Sequence, residues 1–170
     1  MREFAFTVEY EPGADRLMDV FIGRPSLRAG TITCSATSDG MWRVDRFTGP
    51  PDAIEAVDGV FFDTGHCNEC LGPGGCGVTR EYETLGGDST SRRIYTRRSA
   101  FGDCHSVPYL AVERFGEGLA FDAERRGQQY EWRVLTDPDA DVEAFTNTVE
   151  EGLRDGLEVG RRYAGEPIHW

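Results

Sequence analysis

The chain has 170 residues, 39% of them hydrophobic and 28% charged, enough for one sizeable core or two small lobes and too apolar for a disordered tail. Thirty acidic residues face eighteen basic ones, all arginine, for a net charge of −12. A lysine-free acidic chain with ten Phe, six Tyr and three Trp fits a folded protein of a molar-salt cytoplasm, where ions screen self-repulsion within ~3 Å. The charge argues against a phosphate-binding surface, and no run approaches the ~18 apolar residues of a membrane span.

Phe4, Phe6, Val8 and Tyr10 alternate, so residues 3–10 read as a strand with one buried face. Met1-Arg2-Glu3-Phe4 enters that pattern with no signal-like apolar stretch, and a cytoplasmic location is expected. Leu17, Met18, Phe21 and Ile22 recur at helical spacing over 14–22, ended by Gly23 and Pro25. Ile32, Cys34 and Ala36 alternate, Asp39-Gly40 turns the chain, and Trp42 and Val44 mark a return strand over 41–48. Thr48-Gly49-Pro50-Pro51 opens a helix carrying Ile54 and Val57, and Val60-Phe61-Phe62 reads as a closing strand.

The same order then recurs. Residues 80–86 and 92–98 form a polar strand pair around Gly86-Gly87-Asp88, and Ser106-Val107-Pro108 opens a helix to about Phe115. Leu119, Phe121 and Ala123 alternate outward, and Tyr130, Trp132 and Val134 alternate back after Arg126-Gly127. Asp137-Pro138-Asp139 precedes a helix with Val142, Phe145, Val149 and Leu153 on one face; Leu157, Val159, Arg161 and Tyr163 make the last strand. The expected class is α+β: two tandem ferredoxin-like (ACT-like) βαββαβ lobes, 1–66 and 80–164, joined by a loop at 67–79 and followed by a tail at 165–170. Trp42, Tyr130 and Trp132 are expected in core or inter-lobe packing. The arginine pairs 92–93, 97–98, 125–126 and 161–162 are expected on solvated strand faces and turn rims.

Residues 63–79 hold three cysteines, five glycines and one proline, with Leu71 and Val78 the only large aliphatics. Such a stretch cannot build a core of its own. Cys67-x2-Cys70-x5-Cys76, completed by Cys104 or His105 just ahead of the helix at Ser106, has the spacing of a tetrahedral metal site. Zinc is the first reading. An iron–sulfur cluster and a metal-free thiol/disulfide switch remain alternatives, because four cysteines suffice for either. A helix N-terminus beside Cys104 would favour its thiolate. Cys34 reads as a small buried hydrophobe, His66 as an exposed loop residue, and His169 carries no signal. Asp103-Cys104-His105 superficially resembles a nucleophile with its base, but adjacent side chains point different ways and no catalytic motif is present, so no enzyme activity is expected.

Several segments carry a family resemblance: FAFTVEYEPGADRLMDVF over 4–21, Met41-Trp42-Arg43-Val44 through Thr48-Gly49-Pro50-Pro51-Asp52-Ala53, Cys67-Asn68-Glu69-Cys70, Arg80-Glu81-Tyr82-Glu83, and Cys104-His105-Ser106-Val107-Pro108-Tyr109-Leu110. Nearly the whole chain resembles the N-terminal sensory region of the haloarchaeal bacterio-opsin activator family of transcription regulators. The resemblance implies a sensory module of regulators tied to low oxygen, light or alternative electron acceptors, and a homodimer is expected. It also implies DNA contact only through a C-terminal helix-turn-helix, which fits nowhere after residue 157. Thirty carboxylates without a lysine should make the fold salt-dependent. The unfolding midpoint is expected to rise strongly between ~0.1 M and ~3 M KCl, where the Debye length shrinks from ~10 Å to below ~3 Å; a flat profile would contradict the halophilic reading.

Overall fold

The computed structural model describes residues 1–99 and 104–170. Asp103 therefore lies outside the described residues. Among these, the chain forms β1 (Arg2–Tyr10), α1 (Arg16–Ile22), β2 (Arg28–Ala36), β3 (Gly40–Thr48), α2 (Pro51–Phe61), β4 (Thr79–Asp88), β5 (Ser91–Ser99), α3 (Val107–Phe115), β6 (Ala120–Arg126), β7 (Gln129–Thr136), α4 (Val142–Glu151) and β8 (Leu157–Gly165). The helix starts have local causes. Asp15 Oδ1 accepts from the Met18 N–H at 2.8 Å to cap α1, Asp141 caps α4 through Ala144, and Pro51 and Pro108 occupy first-turn positions of α2 and α3 where no donor is needed.

One element departs from expectation. Val60 and Phe61 belong to the end of α2, and Phe62 caps it, rather than forming a closing strand. Phe61 falls four residues after Val57 and seven after Ile54, so it extends their helical stripe, and all three are buried with Ala53.

The strands form a single antiparallel sheet in the order β4-β5-β3-β2-β6-β7-β1-β8. Substituting β5–β8 for β1–β4, and the reverse, turns this order into its own mirror reading. The β-α-β-β-α-β order does occur twice, but the two runs exchange their first strands: β1 lies between β7 and β8, and β5 between β4 and β3. Two self-contained lobes at 1–66 and 80–164 are thus not what forms. The register shows why β1 leaves its own run. Phe4, Phe6 and Val8 stand directly opposite Val134, Trp132 and Tyr130 of β7, matching one buried apolar row to another. Where the halves meet, β2 and β6 share only Ala29↔Arg125 and Gly30↔Glu124 before β2 bulges between Thr31 and Thr33.

All four helices cover one face. Phe21 of α1 and Phe61 of α2 pack on Phe47 of β3 with ring centroids 6.2 and 5.4 Å apart, and Phe115 and Phe145 of α3 and α4 pack on Phe4 of β1 at 6.0 and 5.4 Å. Tyr130 and Trp132 are buried in this layer, as expected. Trp42 is not: it points to the opposite face and stays 43% exposed. That second face carries no helix among the described residues. Only the tail touches it, where the Ile168 and His169 N–H groups donate to Glu3 Oε2 and His169 Nε2 stands 3.1 Å from Asp122. No helix among the described residues is long and apolar enough to cross a membrane.

Phe47 joins both helices of the first run to the sheet. Phe47→Ala should lose about 3–5 kcal/mol in denaturant unfolding, the cost of an emptied aromatic site; a loss below about 1 kcal/mol would mean that the α1–α2 layer does not pack as described.

Candidate metal or redox centre

The segment after α2 is exposed at 63–65 and 73–75 but buried at several points between and after them. Leu71 and Val78 are buried, and so is the Asn68-Glu69 pair inside the Cys67-x2-Cys70 turn. Backbone and arginine contacts fix its path: Asn68 Nδ2 donates to Phe61 O at 3.0 Å, Leu71 N to His105 O at 2.9 Å, and Arg154 N to Leu71 O at 2.9 Å. The Arg154 guanidinium also reaches Cys70 O at 2.6 Å, and Arg80 donates to the carbonyls of Cys76 and Thr64.

The strongest anchor is Glu69. Its carboxylate lies 3.2 Å from Arg43 of β3 and 3.2 Å from Arg125 of β6, and it accepts the Tyr130 hydroxyl of β7 at 2.8 Å. Arg43 also pairs with Asp45 at 2.6 Å and bonds Thr31 Oγ1 at 2.8 Å, while Arg125 lies over the Tyr130 ring at 3.9 Å and donates to Asn68 O. All these charged side chains are at most 2% exposed. Burial opposes ionisation of Glu69, but Arg43 and Arg125 outweigh it and hold the carboxyl down at about 2. Composition suggests that only a cross-link could order this loop. The structure adds a buried ion lock and two buried aliphatics. Arg98 and Arg125, expected on solvated faces, are likewise buried.

Beside this lock the cysteines converge. The sulfurs of Cys70, Cys76 and Cys104 all lie within 4.8 Å of one another. Cys67 adjoins Cys76, and Arg98 Nη2 lies 3.3, 3.9 and 3.0 Å from the sulfurs of Cys67, Cys76 and Cys104. A single guanidinium thus faces three sulfurs. His105 takes no part. Its Nε2 donates to Val149 O at 3.3 Å, and its ring fills the space over Gly152, where a Cβ would come within 2.0 Å of Cε1. Adjacent side chains diverge here, so Cys104 faces the cluster and His105 faces α4. His66, expected exposed, is half-buried with Nε2 3.4 Å from Asp15. Cys34 is buried, and burial pushes its thiol up to about 12.

Within the cluster the thiols are unequal. A hydrogen bond from Cys76, helped by Arg98 and by the Glu69 and Cys70 backbone, pushes Cys67 down to about 6. Cys70 is pushed down by hydrogen bonds from Cys104 and Cys76 and by the His105 and Gly72 backbone. Cys76 and Cys104 move up, because hydrogen bonds to their neighbours hold their protons. Backbone N–H groups of Glu69 and Cys70 serve Cys67, those of Gly72 and His105 serve Cys70, and Arg98 stands 3.0 Å from Cys104, so donors that favour a thiolate surround the whole cluster. A cavity of about 330 Å³ opens onto Cys67, Cys70 and Cys76, with Asp15, Arg80 and Arg154 in its walls. An all-thiol donor set of this spacing fits a thiophilic metal such as zinc or iron, and the guanidinium would offset the negative charge of several thiolates.

The chain belongs to the family described as HVO_2928_N, N-terminal, whose profile matches residues 3–170 and whose name is haloarchaeal. No curated protein and no solved structure shows a significant match to it.

Removing Glu69 would leave the buried Arg125 guanidinium without a carboxylate and Arg43 with Asp45 alone. Glu69→Gln should cost about 3–5 kcal/mol, as breaking one side of a buried pair does. Because the folded carboxyl lies below its unfolded value of 4.5, the stability it confers is complete above pH ~4.5 and is lost as pH falls towards ~2. Acid unfolding of Glu69→Gln should lose that part of its pH dependence; equal stability of the two proteins at pH 7 would contradict the lock.

Proposed function

We propose that this chain is the cytoplasmic sensory module of a haloarchaeal transcription regulator of the bacterio-opsin activator type, acting as a homodimer and responding to metal or redox state through Cys67, Cys70, Cys76 and Cys104. The observation that carries this reading is the meeting of Cys70, Cys76 and Cys104 within 4.8 Å, with Arg98 against three of the four sulfurs. Three further features support it: the family's haloarchaeal name and N-terminal description, the resemblance of the segments around both cysteine groups, and the cavity that gives small solutes access to three thiols. We also read the two βαββαβ runs as ferredoxin-like units that have traded first strands, with the cysteine segment inserted between α2 and β4.

Zinc is the first candidate. A bound zinc would cross-link the loop to the residues preceding α3 and would add its binding energy to folding. An iron–sulfur cluster or a metal-free thiol/disulfide pair would use the same sulfurs. DNA contact is assigned to a helix-turn-helix elsewhere in the regulator, and no enzymatic role is assigned to these residues.

A second reading draws on the Glu69 lock. That lock ties the loop to β3, β6 and β7 without the cysteines, so zinc could serve only as a staple in a structural dimerisation or small-ligand-binding module. The readings separate on reversibility. In a sensor, metal removal or thiol oxidation changes conformation reversibly; in a stapled module it only lowers stability.

Elemental analysis and a visible spectrum of anaerobically purified protein test the site, since a zinc protein is colourless and a cluster is brown. Cys70→Ser should release residues 63–79 to limited proteolysis, whereas Cys34→Ser should cost packing alone. Absence of metal, combined with no reversible change on thiol oxidation and reduction, would sink the proposal.

A further inference from the structure

The helix-free face of the sheet is not uniform. Its central cross-strand row can be read from the pairing registers as Arg93 (β5), Arg46 (β3), Gly30 (β2), Glu124 (β6), Glu131 (β7) and Thr7 (β1). Arg93 and Arg46 stand directly opposite each other, and so do Glu124 and Glu131. Like charges facing across a strand pair are unfavourable; Arg133 on β7 pairs with Glu131 and offsets the acidic pair, whereas no carboxylate among the described residues offsets Arg46 and Arg93. Four residues along β3 and β7, a second row holds Arg97 and Trp42 on the first half and Leu135 and Glu3 on the second. In a chain with thirty carboxylates, Arg46, Arg93 and Arg97 make no ion pair among the described residues.

We infer that this face is the homodimer interface, with a two-fold axis lying along the strands at the β2–β6 seam. Such an axis places β3 of one copy over β7 of the other, because the two strands lie equally far from the seam, about 7 Å at ~4.8 Å per strand. Arg46 then meets Glu131 of the second copy and Trp42 meets its Leu135, while Glu3, buried beneath the tail and bonded to the Ile168 and His169 N–H groups, takes no part. Each contact occurs twice. Glu124 comes to lie over Gly30, where there is no side chain and a Cβ would have no neighbour within 4 Å. A hollow of about 380 Å³ lined by Gly30, Ile32, Arg46 and Arg126, with the copy's own Glu124 also in its wall, offers two guanidinium groups to that carboxylate. The same axis sets Arg28 near Arg126, but the Arg28 guanidinium is turned back onto the carbonyls of Pro25 and Leu27.

The size is appropriate. Eight strands at ~4.8 Å and about six residues at ~3.3 Å give roughly 750 Å² per copy, close to the ~800 Å² per partner of a standard interface. Aligned sheets pack at about −30°, which displaces residues at the rim far more than those of the central row beside the axis. Nucleic acid is the other conceivable occupant of an arginine–aromatic face. The net charge of −12 and the acidic half of the same face disfavour it and favour a second copy of the chain.

This inference rests on the dimer in the proposed function and not on its cysteine chemistry, so the two can fail separately. The test is sedimentation equilibrium of the 170-residue chain in ~2 M KCl, with circular dichroism to confirm folding. The wild type should be a dimer. Arg46→Glu alone and Glu131→Arg alone should each weaken it at least ~100-fold, since each sets like charges face to face twice. Mixing the two variants should restore a one-to-one heterodimer, because both Arg–Glu contacts reappear in it. A wild type that stays monomeric to ~100 μM, an Arg46→Glu protein that still dimerises, or a mixture that remains monomeric would overturn the assignment. So would duplex DNA binding that Arg46→Glu abolishes.

Discussion

The structure depends on one carboxylate. Glu69 sits between Arg43 and Arg125 beneath a sheet whose halves share only two register pairs at the β2–β6 seam. Arg43 belongs to β3 and Arg125 to β6, so the ion triad crosses the seam where the backbone ladder is thinnest. Full desolvation makes such a triad costly to build and costlier to break. Its value here is geometric. It fixes the Cys-x2-Cys turn, of which Glu69 is a member, against both halves of the sheet at once.

That placement joins the cysteines to the architecture. Cys67 and Cys70 flank Asn68-Glu69, Cys104 precedes α3, and Arg98 on β5 reaches three sulfurs. A change at the sulfurs is therefore a change beside the seam, separated from the triad only by the turn's own backbone. The exchange of first strands has the same consequence. β1 and β5 each carry the chain from one half of the sheet into the other, so neither half can shift as an independent lobe.

The same sheet presents two faces with different tasks. One buries aromatic rows under four helices and encloses the ion triad. The other keeps Trp42, Arg46, Arg93 and Arg97 in solvent, the three arginines without an ion pair among the described residues, beside a half that carries Glu124 and the Arg133–Glu131 pair. In a protein adapted to high salt, close Arg–carboxylate contacts outlast the long-range field, because screening within ~3 Å removes interactions at a distance and spares those in contact.

Much of this was legible in the chain. Alternation fixed most strands, helical stripes and caps placed the four helices, and cysteine spacing pointed to Cys67, Cys70, Cys76 and Cys104, because those signals are local or nearly so. Four matters were decided only in three dimensions. Phe61 extends a helix because Ile54 and Val57 already face the core, which a three-residue apolar run cannot reveal. His105 turns away from the cluster because its neighbour Cys104 turns in. Glu69, Arg43, Arg98 and Arg125 look like surface charges in sequence; only the alternation of the three arginines with Met41 and Phe47, Ile94, and Phe121 and Ala123 hinted that they are buried. The trading of β1 and β5 had no local signal, because either pairing buries Phe4, Phe6, Val8 and Tyr10 equally well in one dimension. Strand partners are chosen by which apolar row lies opposite which, and that choice exists only once the whole sheet is assembled.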